Sequence, residues 1–420
     1  MSDSQGARRA VERAARDSRG RLLVFLAART RDLAAAEDAL ADAFASALAS
    51  WPERGVPAKP EAWLLVAARR RLQDRERHQK VSAAAQTELL CAAEEAQALA
   101  TSESSFPDER LKLLFVCAHP AIAANARTPL MLQVVLGIDA ARIASAFLMK
   151  PAAVGARLAR AKAKIRNAGI PYAVPESPEL APRLDAVLEA IYAAYGTGWD
   201  DVAGGDARTR GLAREALELG RLLVVLQPDE PEALGLLSLM LYCESRRAAR
   251  RSANGSYVPL SEQDVACWDD AAIAEAESLL HAAAALGRHE RFQLEAAIQS
   301  VHAQRKRTGE TDWEAVALLY AGLLRLAPTI GGRVSQAAAL GEARGPAAGW
   351  SALAAIHAED VVTYQPYWAL RAHLLGRLGR SSEAETAFQR AIGLCEDPAV
   401  RAFLGERAAC LGGRASRLGE

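Results

Sequence analysis

The stretch Leu33-Ala34-Ala35-Ala36-Glu37-Asp38-Ala39-Leu40-Ala41-Asp42-Ala43-Phe44-Ala45-Ser46-Ala47-Leu48-Ala49-Ser50-Trp51-Pro52 decides the fold class. On a helical wheel Leu33, Ala36, Leu40, Phe44, Ala47 and Trp51 fall within about 80°, while Asp38 and Asp42 point the opposite way. This predicts an amphipathic helix with one buried face, which Pro52 is expected to stop. After the loop Glu53 to Lys59, Pro60 suits a first helical turn, and Glu61 to Lys80 reads as one long helix. The same period runs through almost the whole sequence, and alternating stretches rich in Val, Ile, Thr and aromatics are lacking. An all-α protein is expected.

With 420 residues, 51% hydrophobic and 24% charged, the chain can bury two to three real cores. Its zero net charge conceals a split. Residues 1–170 hold 26 Lys and Arg against 18 Asp and Glu, and the remainder holds 25 against 33. Such a division suggests one half that faces a polyanion and one half with another task. No apolar run approaches the roughly 18 residues of a membrane span, and Met1 to Arg21 does not look like a secretion signal. The six cysteines (Cys91, Cys117, Cys243, Cys267, Cys395, Cys410) are scattered, without metal-ligand spacing. Reduced thiols in a cytoplasmic protein are expected, with no metal and no cofactor.

Four segments follow from composition and punctuation. Residues 1–82 form a first helical domain. Residues 83–109 are a linker, the stretch Val81 to Glu109 holding six acidic residues and no Lys or Arg. Residues 110–175 form a second helical block, closed by Gly169, Pro171 and Pro175, and residues 176–420 a helical array cut by Pro and Gly turns. Within that array Trp368, Ala372, Leu375, Ala384, Phe388 and Ala391, with Gly379 at the turn, match the spacing of a tetratricopeptide helix pair. Small residues let the two helices approach while the aromatics fill the groove to the next repeat. Trp313 to Pro328 is a half-match, so the array is atypical.

Enzyme signatures are missing: no Gly-rich phosphate loop, no His-Glu-x-x-His, no nucleophile elbow. Cys117 and His119, two residues apart, would point away from each other on a helix and make no nucleophile and base. Tyr195-Gly196-Thr197-Gly198-Trp199 reads as a helix-ending turn. Two other constellations carry information. On the helix from Glu61, Leu65, Ala68 and Leu72 face inward, and Trp63, Ala67, Arg70, Asp74 and Arg77 face outward. Cations that hold phosphates beside a ring that can stack on an unpaired base suit single-stranded nucleic acid. A solvated helix whose Asp74 pairs with Arg70 and Arg77 is the plainer alternative. The second constellation is a helix-turn-helix. Asp139 caps a helix through Leu148 bearing Ile143, Ala144 and Phe147, Met149-Lys150 makes the turn, and Pro151 opens a helix with the buried stripe Val154, Leu158, Ala161 and Ile165. Between Arg142 and Arg166 there are seven basic residues and no acidic one. That suits phosphate contacts, while Pro151, Ala152, Ala153, Gly155 and Ala156 at the front of the second helix offer few hydrogen bonds to base edges.

The order of these parts resembles a known family. Ala35 to Phe44 through Trp51-Pro52, with Pro60-Glu61-Ala62-Trp63-Leu64-Leu65, Arg69-Arg70-Arg71 and Asp74, resembles region 2 of extracytoplasmic-function sigma factors of bacterial RNA polymerase. Ala141-Arg142-Ile143-Ala144 and Arg157-Leu158-Ala159-Arg160-Ala161-Lys162 resemble region 4. The remainder is similar to the subgroup with a long tetratricopeptide-like extension: Leu114 to Pro120, Ala168 to Tyr172, Arg246-Arg247-Ala248-Ala249-Arg250, Glu262-Gln263-Asp264 with Trp268, and Arg344 to Gly349 follow its pattern. Where that subgroup usually carries Asn-Glu-Gly-Tyr, this chain has Tyr195 to Trp199.

The resemblance implies roles. Glu37, Asp38, Leu40, Asp42, Phe44 and Trp51 would dock on the clamp helices of the polymerase β′ subunit, and region 4 would meet the β flap. Lys59, Trp63, Arg69, Arg70, Arg71, Asp74, Arg77 and Lys80 would capture and hold the melted minus-10 strand. Arg142, Lys150, Ala152, Ala153, Arg157, Arg160, Lys162 and Lys164 would sit on the minus-35 duplex. The acidic linker would thread the polymerase cleft, and the repeats would regulate and bind a protein partner. The expected function is that of a sigma factor, a DNA-binding initiation protein without covalent chemistry. A helical-repeat adaptor with a degenerate sigma-like front half is the other reading, and the opposite charges of the two halves suggest that one could mask the other.

Overall fold

The computed structural model describes residues 2–30, 32–79, 110–146, 149–171, 175, 177–200 and 211–418. Lys80, the acidic linker, Cys91, Phe147 and Leu148 lie outside these residues, as does the side chain of Arg77. Among the described residues the chain is all-α: nineteen α-helices, four short 3-10 turns and a single isolated bridge between Arg251 and Tyr257. No helix among them is long and apolar enough to cross a membrane.

The chain forms two compact units, Met1–Leu222 and Leu223–Glu420. In the first, α1 (Ser2–Asp17), α2 (Arg19–Thr30) and α4 (Pro60–Gln79) pack on α3 (Leu33–Arg54). Asp32 caps α3, its carboxylate accepting the Ala34 and Ala35 amides at 3.1 Å. The expected inner face is buried at Leu33, Ala36, Leu40, Ala47 and Trp51, joined by Ala39 and Ala43. Pro52 does not stop the helix. It occupies the last turn, and the chain leaves after Arg54 through Gly55, whose φ of 81° suits glycine alone. Lacking an N–H, Pro52 leaves unbonded only a carbonyl near the helix end, where water can reach it.

The second block comprises α5 (Arg110–Cys117), α6 (Ala124–Val134), α7 (Ala140–Ala146) and α8 (Pro151–Asn167). Leu113, Leu114, Phe115, Ile122, Leu130 and Met131 make its core. A further helix, α9 (Ser177–Asp200), belongs with them: it packs on α5 and α6, and buried Arg183 donates to the Phe115 carbonyl at 3.4 Å. Tyr195 to Trp199 is therefore no turn. The helix runs through both glycines to Asp200, with the Thr197 hydroxyl donating to the Ala193 carbonyl at 2.8 Å. The first unit closes with α10 (Leu212–Leu226), which crosses into the second.

In the second unit α11 (Pro231–Ser245) is followed by α12 (Asp270–Ala285), α13 (Arg291–Thr308), α14 (Trp313–Leu326) and α15 (Ile330–Ala343). Then come α16 (Pro346–Ala354), α17 (Gln365–Arg377), α18 (Ser381–Leu394) and α19 (Pro398–Leu418). The pair α17 and α18 turns at Gly379, φ 77°, and buries Ala372, Leu375, Ala384, Phe388 and Ala391 in one cluster against which Trp368 packs. This is the helix pair that the spacing predicts. Its neighbours α15 and α16 approach closely, since a Cβ on Gly349 would lie 2.7 Å from the Gly341 Cα.

Candidate nucleic-acid interface

Two helices stand where the helix-turn-helix is expected, α7 described as far as Ala146 and α8 from Pro151, while Phe147 and Leu148 between them lie outside the described residues. The Asp139 side chain accepts the Arg142 amide at 2.9 Å and starts α7, on which Ile143 and Ala144 are buried. Lys150 precedes α8, Pro151 occupies its first turn, and Val154, Leu158, Ala161 and Ile165 form the buried stripe. That stripe leaves Lys150, Ala152, Ala153, Arg160 and Lys164 exposed. Arg142 is half-buried. Arg157 is also half-buried and donates to the Asn125 carbonyl at 3.0 Å, so its direction is set by the protein.

Lys162 departs from the expected role. Its ammonium lies 2.5 Å from Glu37, with the two side chains 14% and 15% exposed. A lysine so engaged does not offer its charge to a DNA phosphate, and Glu37 does not offer its carboxylate to another protein. Around this pair Arg19 approaches Glu37 at 3.9 Å, and Arg166 meets Asp32, the cap of α3, at 3.3 Å. The buried Cys117 thiol has its pKa raised, first by burial and then by the Glu37 carboxylate. The helices that carry the expected polymerase-binding and minus-35 residues are thus in contact with each other.

On α3, Asp38 and Asp42 are exposed and Phe44 is half-buried. Leu40 and Trp51, expected at a polymerase surface, are each 2% exposed and belong to the core. The correction follows from the stripe itself: the residues that hold a helix to its own domain are not also available to a partner. On α4, Ala62, Leu64, Leu65, Ala68 and Leu72 face inward. Trp63 is half-buried and meets Trp51 edge-on, with ring centroids 5.5 Å apart. Its ring is therefore oriented by the core. Arg70, Arg71 and Asp74 are exposed, as is Lys59 in the preceding loop.

Arg69 is not part of that surface. It is 9% exposed, with its guanidinium 5.0 Å above the Phe25 ring, which also carries Arg29 at 4.5 Å. Of the residues expected to touch nucleic acid, the structure brings Lys59, Trp63, Arg70, Arg71 and Asp74 together on α4 and its approach loop. Lys150, Arg160 and Lys164 lie separately on α8 and the turn before it. No local sequence pattern marks the α3–α8 contacts through Asp32, Glu37, Lys162 and Arg166, whose partners lie more than 120 residues apart. Among the described residues no group of three His, Cys, Asp or Glu could hold a metal ion.

A family of unknown function, DUF6596, matches residues 183–284. An uncharacterised protein of Rhizobium meliloti (strain 1021), R00370, is 38% identical over 380 residues, 89% of each chain. The chain belongs to the family of that protein. At 89% of the chain, the likeness takes in residues of both units. No solved structure matches the chain.

Proposed function

We propose that this protein is a sigma factor of the extracytoplasmic-function group that directs RNA polymerase core to promoters, with the C-terminal array as a regulatory extension. The observation that carries the reading is the basic helix-turn-helix. A capped α7 and a proline-started α8 bury one stripe and leave Lys150, Arg160 and Lys164 exposed, a geometry suited to duplex phosphates. The second support is α4, where Trp63 stands over a core tryptophan beside exposed Arg70 and Arg71. A fixed indole can stack on an extruded base, and the guanidinium groups can hold its strand. Asp38, Asp42 and Phe44 on α3 are the residues of the polymerase-binding set that remain accessible. The reaction asks no covalent step of the protein: binding to the unpaired strand offsets an unstacking cost of about a few kcal/mol. Transcription with purified core polymerase on genomic promoter fragments tests this. A promoter-dependent transcript that disappears with Trp63→Ala plus Arg70→Ala is expected, and its absence from the unaltered protein refutes the reading.

The exposed front of α8 favours a second reading. Ala152, Ala153, Gly155 and Ala156 present methyl groups and backbone but no side-chain hydrogen bonds. A helical-repeat adaptor that binds a protein and no longer reads DNA would have such a helix. It would form a complex with its partner and give no transcript in the same assay.

A further inference from the structure

The second unit lies in the acid-rich part of the chain, yet arginines gather on it. Arg246, Arg247, Arg250 and Arg251 fall within six residues, at the end of α11 and in the 3-10 turn that follows. Arg247 has a carboxylate partner, Glu244, at 2.7 Å, and Arg251 pairs with Asp397. Arg246 is held differently. It donates to the side-chain carbonyl of Gln299 at 2.6 Å and lies 3.6 Å from the Cys243 sulfur. Arg305 is held by two backbone carbonyls, Leu260 at 2.7 Å and Gln263 at 2.6 Å, with its guanidinium 5.1 Å from the Trp268 ring centroid.

Gln299, His302 and Arg305 recur at three-residue intervals along α13, each step turning about 60° around the axis, so they form a slanting row whose ends are about 9 Å apart along the axis. The Arg246 guanidinium therefore stands at one end of this row and Arg305 at the other, with His302 between. The imidazole is 9% exposed and lies edge-on to Trp313 at 5.4 Å. Burial pushes its pKa down to about 4, with Arg246 and Arg305 adding to the effect. Burial also lowers Arg305, and Arg246 lowers it further. Neutral oxygens fix the direction of both guanidinium groups without cancelling their charge, and the two repel across a poorly hydrated space. Both remain half-buried, not sealed, so a solute can approach. Planar donors fixed in direction, carrying uncompensated positive charge, are complementary to an oxyanion.

We propose that Arg246 and Arg305, on either side of His302, form a binding site for a small molecule bearing a phosphate or carboxylate group. The site is independent of whether the first unit binds promoters. A bound anion relieves the repulsion between the guanidinium groups and stabilises the protonated imidazole, so His302 reports on occupancy.

The test is an NMR titration of the histidine ring protons in the full chain, with inorganic phosphate and malonate as separate probes and sodium chloride holding ionic strength constant. A saturable rise in the His302 pKa of about one pH unit is expected, and Arg246→Gln should weaken it about tenfold. A response to phosphate alone identifies a phosphate ligand, and one to malonate alone a carboxylate. Gln299→Glu places an anion of the protein's own beside Arg246. It should raise the His302 pKa without any probe, leave the fold intact and abolish the response. A shift that chloride reproduces, the absence of a shift with either probe, or a full phosphate response in Gln299→Glu overturns the proposal.

Discussion

Lys162 donates to Glu37 at 2.5 Å, joining α8 to α3 across 125 residues of sequence. Neither side chain is more than 15% exposed, so the pair lies where water screens it weakly. Arg19, 3.9 Å from Glu37, adds a second positive neighbour, and its own pKa is lowered by burial and held up by that carboxylate.

Glu37→Gln should therefore destabilise the first unit by about 2–4 kcal/mol, because it leaves two cations without their counter-charge. Reversing the pair with Glu37→Lys and Lys162→Glu should restore only part of the loss, since Arg19 then faces a like charge. Denaturant unfolding of the four members of this cycle measures the coupling, and additive effects would show that the pair contributes nothing.

Trp51 and Trp63 touch edge-on but differ in depth. Trp51→Ala should cost about 3–5 kcal/mol as a core cavity. Trp63→Ala should cost about 1 kcal/mol, much of it the lost ring contact. Under the proposed function the order reverses for activity: Trp63→Ala abolishes promoter opening in a protein that still folds. Thermal unfolding set beside a promoter-melting assay distinguishes the two effects.

Glu232 on α11 accepts the Phe292 and Gln293 amides at 2.9 and 3.1 Å, capping α13 from a neighbouring helix. Burial outweighs these bonds and raises its pKa to about 7 from an ordinary 4.5. The folded state thus holds this proton more tightly than the unfolded chain does. Its contribution to stability is complete below about pH 4.5 and is lost as pH rises through 7. Relative to Glu232→Gln, the unaltered protein should lose on the order of 1–3 kcal/mol between pH 4.5 and 8, and a difference that stays flat with pH would contradict the assignment.

Gly349 lies against Gly341 where α15 and α16 cross. An added Cβ would sit 2.7 Å from the Gly341 Cα and 2.8 Å from the Ala337 carbonyl, both backbone atoms that cannot swing aside. Gly349→Ala should cost about 1–3 kcal/mol through forced separation of the helices. Gly393→Ala, where a Cβ would meet nothing within 4 Å, is the control and should be neutral or slightly stabilising.

Much of the architecture could be read from the chain alone. The stripes on α3, α4 and α8 and the α17–α18 pair match the residues buried in the structure, because helical periodicity records which face meets a core. Pro52 and Tyr195 to Trp199 lie inside helices that their local pattern predicts to end, because proline near a helix end and glycine inside one weaken a helix without ending it when packing holds it.

The amino-acid sequence by itself determined the all-α class, the capped helix-turn-helix and the concentration of basic residues around it, since each depends on spacings within one or two turns. Tertiary structure alone decided which of those residues remain accessible. It removed Arg69 and Lys162 from the exposed set, left Arg70, Arg160 and Lys164 in it, and set Arg246 and Arg305 near His302. The physical reason is that a charge's availability depends on what the rest of the chain brings within a few ångströms of it, and that distance is fixed only when remote helices pack.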